Sequence, residues 1–227
     1  MQIEQFIRRY RLHTGYAEDA IYRAQAQDWY TAACLMIQQS EATQHFVSVL
    51  RKVQKKKIRE RDIVITVDNS THALLQGLQD HGLVHIILET EHEITCFIPG
   101  GDQRAFLSCD WLKIYLWQQL LRMGCYDDVR WGVRLVLHAQ IEYELDVLCL
   151  HEETLTLFEC NTMADPIAKS TLYLNLITTY RELFQPTPLN AYLVAIHPHL
   201  TQLPHYEDFA TRAQQQNVHL LSGHALS

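Results

Sequence analysis

Between Val129 and Cys160 the chain carries three apolar, strand-forming runs in close succession, Val129–His138, Glu144–Leu150 and Thr154–Cys160. The last two are separated only by the tight turn His151–Glu152–Glu153 before Thr154. Runs this close can only pair as an antiparallel meander, because a parallel pair needs a crossover of a dozen or more residues. Such a crossover follows. Ile167–Phe184 has Leu172, Leu176, Ile177, Tyr180 and Leu183 on one helical face, and Asn190–His197 is again strand-like and is stopped by Pro198. A helix near 205–216 and a short strand, Val218–Leu221, come last. With the helix Arg104–Met123 in front, the order predicts an α/β fold with a mixed sheet flanked by helices.

Pro99–Gly100–Gly101–Asp102 is the strongest turn signal in the chain and divides residues 1–100 from 101–227. The first part reads as helices at 3–10, 17–39 and from 41 onward, with Thr14–Gly15 breaking the first. Then come a β-branched run at 62–67, a helix over 71–81 that Gly82 can end in a left-handed conformation, and a hairpin of Val84–Leu88 with Glu93–Ile98. Helices followed by a small hairpin predict a winged-helix-like domain. Such modules bind DNA or join proteins.

The charge is uneven. Arg51, Lys52, Lys55, Lys56, Lys57, Arg59 and Arg61 fall within RKVQKKKIRER, on a chain whose formal net charge is −7. A cationic run on an acidic body predicts a polyanion partner, nucleic acid above all; the alternative is a solvated helix end. The N-terminus lacks the apolar stretch of a signal peptide, and no apolar run reaches the ~20 residues that span a membrane, so a cytoplasmic protein with no membrane partner is expected. Six cysteines without C-x-x-C spacing read as free thiols, and thirteen scattered histidines do not form a zinc pattern.

Side chains alternate along a strand, so Glu144 and Asp146 share one face of their run and Glu159 and Asn161 share one face of theirs. If the two runs are neighbours, Asp146 and Glu159 converge. Paired carboxylates suit Mg²⁺ or Mn²⁺, which would polarise a phosphate and acidify an attacking water. A lysine two residues after the second acid would complete such a site; that position is Asn161.

Three stretches carry a resemblance: SCDWLK (Ser108–Lys113), YELDV (Tyr143–Val147) and FECNT (Phe158–Thr162). They resemble the motifs G-x-W-L-E, N-E-L/I-D-V and I-E-C-K-T of a CRISPR-associated family that joins a cyclic-oligoadenylate-sensing CARF domain to a PD-(D/E)XK nuclease domain. LQDHGLVHIILETEHEITCFI resembles the winged segment before that nuclease, and TLYLNLITTYRELF the helix after its motifs. The resemblance implies a restriction-endonuclease-like fold, a homodimer and a link to antiviral defence. It also implies that the sensor, or other CRISPR complex subunits, would be supplied separately. The family's helix glutamate falls on Lys113, its strand asparagine on Tyr143 and its motif lysine on Asn161. Asp146 and Glu159, with Glu144 beside them, persist as the metal-ligand positions. Two outcomes follow from the departures. Either the site is degenerate and the domain binds nucleic acid or scaffolds a complex, or Lys113, or Lys169 near the start of the following helix, supplies the displaced cation and a Mg²⁺- or Mn²⁺-dependent endonuclease survives.

Overall fold

The three runs of the meander form the centre of a six-stranded sheet. The computed structural model describes residues 2–10, 13–16, 27–56, 63–137, 141–163, 165–197 and 199–222. The large sheet has the order β1-β5-β6-β7-β8-β9, built from β1 (His13–Tyr16), β5 (Asp128–Leu137), β6 (Ile141–His151), β7 (Thr154–Asn161), β8 (Leu189–Ala195) and β9 (Val218–Ser222). The first four strands pair antiparallel; β7–β8 and β8–β9 pair parallel. The expected α/β class and mixed sheet are therefore present.

The smaller sheet has the order β2-β4-β3, with β2 (Ile63–Asp68), β3 (His85–Glu89) and β4 (Glu93–Ile98), all antiparallel. Along β2, buried Ile63, Ile65 and Val67 alternate with exposed neighbours, the period of two that a one-sided sheet requires.

Among the described residues the helices are α1 (Ile3–Arg8), α2 (Tyr30–Gln38), α3 (Ser40–Lys56), α4 (His72–Asp80), α5 (Gly101–Ala105), α6 (Trp111–Met123), α7 (Ser170–Leu183) and α8 (Tyr206–Gln215). Helix α7 makes the crossover from β7 to β8, and α8 the crossover from β8 to β9. The helix expected over Arg104–Met123 is not uniform: a π-helical turn, Phe106–Asp110, separates α5 from α6. Gly124 ends α6 in a left-handed conformation, with φ 64°. Part of the helix expected over 17–39, residues 17–26, lies outside the described residues.

Two apolar cores lie against the large sheet. One gathers α2, α4, α6 and the small sheet onto Val129, Trp131, Val147, Cys149, Phe158 and Val194. The other gathers α1, α7 and α8 onto Val133, Leu135, Leu145, Leu157, Leu193 and Val218. Residues on both sides of the Pro99–Asp102 boundary enter the first core. Thr14–Gly15, expected only to end a helix, lies within β1, whose ladder with β5 runs from His13↔Val136 to Tyr16↔Val133. Four residues are too short to show strand periodicity, so only the edge of β5 makes this a strand.

The six cysteines are all free. Among the described residues no helix is long and apolar enough to cross a membrane.

Candidate functional site

The site begins where two strands part. The β6–β7 ladder runs from His151↔Thr154 to Val147↔Phe158 and stops. The next residues are Asp146 on β6 and Glu159 on β7. Beyond them β6 continues along β5 as far as Ile141, while β7 stays with β8 as far as Asn161. The gap leaves backbone groups to satisfy. Asp146 Oδ2 accepts the Cys160 N–H at 2.8 Å, a side chain standing in for the lost ladder partner.

Gly132 assists from the other side of β6. It lies between the Trp131↔Val147 and Val133↔Leu145 pairs, opposite Asp146, and has φ 59°. Trp131 and Val133, two apart, belong to different cores, and so do Val147 and Leu145. The usual alternation is interrupted at this pair, and the positive φ is a conformation that glycine adopts at no steric cost.

The side chain that fills the fork is Lys113, from α6. Its Nζ lies 2.7 Å from Glu144 Oε1, 2.8 Å from Asp146 Oδ1 and 3.4 Å from Asp110 Oδ1. Lys113 and Asp146 are each only 8% exposed, and Glu159 only 3%. Burial pushes the Lys113 ammonium down, but Asp146, Asp110 and Glu144 together outweigh it and hold it above the usual lysine value. Burial also pushes Glu144 up, and Lys113, then Arg134 at 3.6 Å, hold it below the usual carboxylate range. For Asp146 burial prevails over Lys113 and the Cys160 N–H, and its value is raised. Glu159 is raised furthest, by burial and then by the Asp146 charge; its Oε1 is buried without a hydrogen-bond partner.

Asn161 is fully buried and both ends of its amide are engaged. Its Nδ2 donates to the Pro166 carbonyl at 3.0 Å, and its Oδ1 accepts the Met163 N–H at 3.0 Å. It closes the loop after β7 and does not reach toward the acids as a lysine would. Tyr180, on α7, donates to the Glu144 carbonyl at 3.2 Å.

A divalent ion would need hard oxygen donors with free lone pairs. Here Asp146 accepts from Lys113 with one oxygen and from Cys160 with the other, and the ammonium already supplies the local positive charge. Among the described residues no three His, Cys, Asp or Glu side chains gather as a metal-binding group. In this arrangement the cation that Asp146 and Glu144 contact is the Lys113 ammonium.

The basic run divides. Lys52 and Lys55 are exposed on α3, and Lys56 ends that helix. Lys57, Arg59 and Arg61 lie outside the described residues. Arg51 turns inward to the fork: Nη2 donates to the Ser108 carbonyl at 2.6 Å and to Thr162 Oγ1 at 2.5 Å, and Nη1 to the Thr162 carbonyl at 3.1 Å. Asp110, Ser108 and Thr162 were not expected at the site. For Asp110 a signal exists: it precedes Lys113 by three residues, a spacing that places two side chains side by side on a helix.

The sequence of residues 101–226 matches the family described as the Card1-like endonuclease domain. No curated protein sequence matches. The fold is shared with solved structures, among them two that match nearly the whole chain. Protein VC1899 from Vibrio cholerae superposes with a TM-score of 0.68 at 17% identity, over 99% of this chain and 58% of that one. Can2 from Sulfobacillus thermosulfidooxidans, solved in complex with cyclic tetra-adenylate, gives 0.67 at 14% identity, over 97% and 56%. The chain thus spans somewhat more than half the length of either. The family match covers more than half of the 227 residues, and the chain belongs to the Card1-like endonuclease domain family.

Proposed function

We propose that this chain is a nucleic-acid-binding member of its nuclease family, linked to CRISPR or related antiviral defence, whose metal site is degenerate. One observation carries the reading: the Lys113 ammonium sits among Asp110, Glu144 and Asp146, where an acid cluster would otherwise draw a metal. Separating a buried ion pair by removing one partner typically costs ~3–5 kcal/mol, so a metal that must displace Lys113 from Asp146 binds at a disadvantage. Asn161 adds to this. It is neutral and committed to its loop, and the absence of one positive group from a phosphate site typically lowers the rate ~10²–10³-fold.

Exposed Lys52 and Lys55 on α3 support a phosphate-contacting surface there, to which Lys56, Lys57, Arg59 and Arg61 add charge in sequence. The succession α2, α3, β2, α4, β3, β4 with its three-stranded sheet supports a winged-helix-like reading of residues within 1–100, ahead of a nuclease-like part at 101–227. Helix α1 and β1 would belong with the nuclease-like part, whose sheet they join. The chain would act as a homodimer, together with a sensor of the CARF type. Can2 was solved with cyclic tetra-adenylate, and its length beyond the shared part leaves room for such a sensor.

A second reading has its own observation. Glu159 Oε1 is buried without a partner, an oxygen that Mg²⁺ or Mn²⁺ would satisfy. On that reading Asp146 and Glu159 are ligands, Lys113 is the relocated cation, and the chain is an active endonuclease. Single- and double-stranded DNA and RNA incubated with the protein and Mn²⁺ separate the two. The degenerate reading expects no cleavage above that of an Asp146→Asn/Glu159→Gln control. Cleavage abolished in the control would establish the second reading.

A further inference from the structure

Arg51 stands in the basic run but does not behave as part of it. Lys52 and Lys55 point into solvent, whereas Arg51 is half-buried and its three described hydrogen bonds all go to the rim of the fork. Those bonds join three segments that are far apart in the chain. The acceptor at Ser108 belongs to the π-helical turn, where a carbonyl is displaced from ordinary helical pairing. That turn ends in Asp110 and leads directly into Lys113. The acceptors at Thr162 lie just past β7, one residue beyond Asn161 and three beyond Glu159. Thr162 Oγ1 also donates to the Ser108 carbonyl at 3.2 Å, which closes a triangle. Among the described residues Arg51 has no carboxylate partner, and the planar guanidinium suits two carbonyls and a hydroxyl held in fixed relation. A second side chain of α3 makes a parallel link: Gln44 donates to the Ile196 carbonyl, at the end of β8.

We propose that Arg51 is a positioning residue: it locks the π-helical turn and the end of β7 to α3, so that α3 sets the spacing between the helix-borne groups Asp110 and Lys113 and the strand-borne Glu159. Its charge is spent within the protein rather than on a nucleic-acid phosphate. A corollary, which rests on the reading of Lys52 and Lys55 as phosphate contacts, is that the helix touching nucleic acid is also the helix that frames the acid cluster.

Two thiols report on the lock. Cys109 adjoins Ser108 in the π-helical turn, and Cys160 adjoins Glu159. Cys160 is buried, and Cys109 is partly buried with its Sγ donating to the Ala105 carbonyl at 3.4 Å, so both are shielded from alkylation while the turn and strand stay closed. Cys125 is exposed and serves as an internal standard. The test alkylates the full chain with iodoacetamide, maps the sites by mass spectrometry, and repeats this for Arg51→Ala, Arg51→Lys and Lys52→Ala/Lys55→Ala. Binding of a duplex oligonucleotide across a salt series is measured alongside.

Arg51→Ala is expected to raise labelling of Cys109 and Cys160 relative to Cys125 at least about tenfold, through local opening. Its salt slope should stay unchanged, and Arg51→Lys should recover part of the protection. The lysine pair should leave labelling unchanged. If the nucleic-acid reading holds, it should also flatten the salt slope by about two. Absence of binding in every protein would defeat that reading and leave the labelling test intact. Unchanged labelling in Arg51→Ala, or a lowered salt slope with protection retained, would overturn the proposal. Should Arg51→Ala not fold, Arg51→Lys carries the same comparison.

Discussion

The fork between β6 and β7 and the exposed face of α3 are two charged regions of the molecule that handle charge in opposite ways. In the fork every ionised side chain is held by another: Lys113 by three carboxylates, Glu144 also by Arg134, and Asp146 also by a backbone N–H. On α3, Lys52 and Lys55 stand in water. Burial separates the two cases. A desolvated charge must find partners or give up its ionisation, and Glu159, the acid without a partner for Oε1, is the one pushed furthest toward its neutral form. An exposed lysine meets no such demand, so its charge remains available to a partner. The first region therefore reads as internally closed and the second as open.

The sharpest way to break this contrast is to remove the cation from the fork. Lys113→Met leaves Asp110, Glu144 and Asp146 without their common partner and should destabilise the protein by about 3–5 kcal/mol in a urea titration at neutral pH. Its raised folded-state value means that this contribution is fully present below the usual lysine range. It is lost only as the pH rises through the still higher folded value, so the effect should be flat from pH 6 to 9. A loss below about 1 kcal/mol would mean that Lys113 is dispensable to the cluster.

Glu159→Gln should have the opposite sign. A carboxyl whose folded value is raised contributes stability at low pH that disappears as the pH climbs from its unfolded toward its folded value. The amide cannot ionise. The variant should thus be more stable than the parent at pH 7, by about 1–3 kcal/mol, with the gain shrinking below pH 5. Greater loss of stability at pH 7 than at pH 4 would show that the ionised Glu159 has a partner.

On α3 the expected effect is smallest. Lys52→Ala/Lys55→Ala should change stability by no more than about 0.5 kcal/mol, as surface substitutions usually do. A larger change would make this face part of the folded core's support.

How much of this was legible beforehand follows the range of the interaction concerned. The strands of the meander and the crossover helix announce themselves through local periodicity, and strand alternation pairs Glu144 with Asp146 on β6 without any knowledge of the fold. Strand β1 is different: HTGY becomes a strand only by lying along β5, more than a hundred residues away. The fork is invisible for the same reason, since nothing within β6 says that β7 leaves it after Val147. Lys113 could be picked out by its place in SCDWLK, but its three acid partners come from two elements and depend on a π-helical turn that sequence periodicity does not signal. Asn161 and Arg51 show a further limit. Both sit where a charge-bearing role was expected, and both are engaged by backbone groups, Asn161 by Met163 and Pro166, Arg51 by Ser108 and Thr162. Backbone partners leave no mark in residue identities.

If Lys113 closes the acid cluster against a metal, a divalent ion should find a site there only once the ammonium is removed. Calorimetric titration of the protein with Mn²⁺, beside Lys113→Gln and Asp146→Asn/Glu159→Gln, tests it most directly. The parent and the double variant should show the same weak heats, and Lys113→Gln, with Asp146 Oδ1 released, should take up one ion. A saturable site in the parent that vanishes in Asp146→Asn/Glu159→Gln would contradict it.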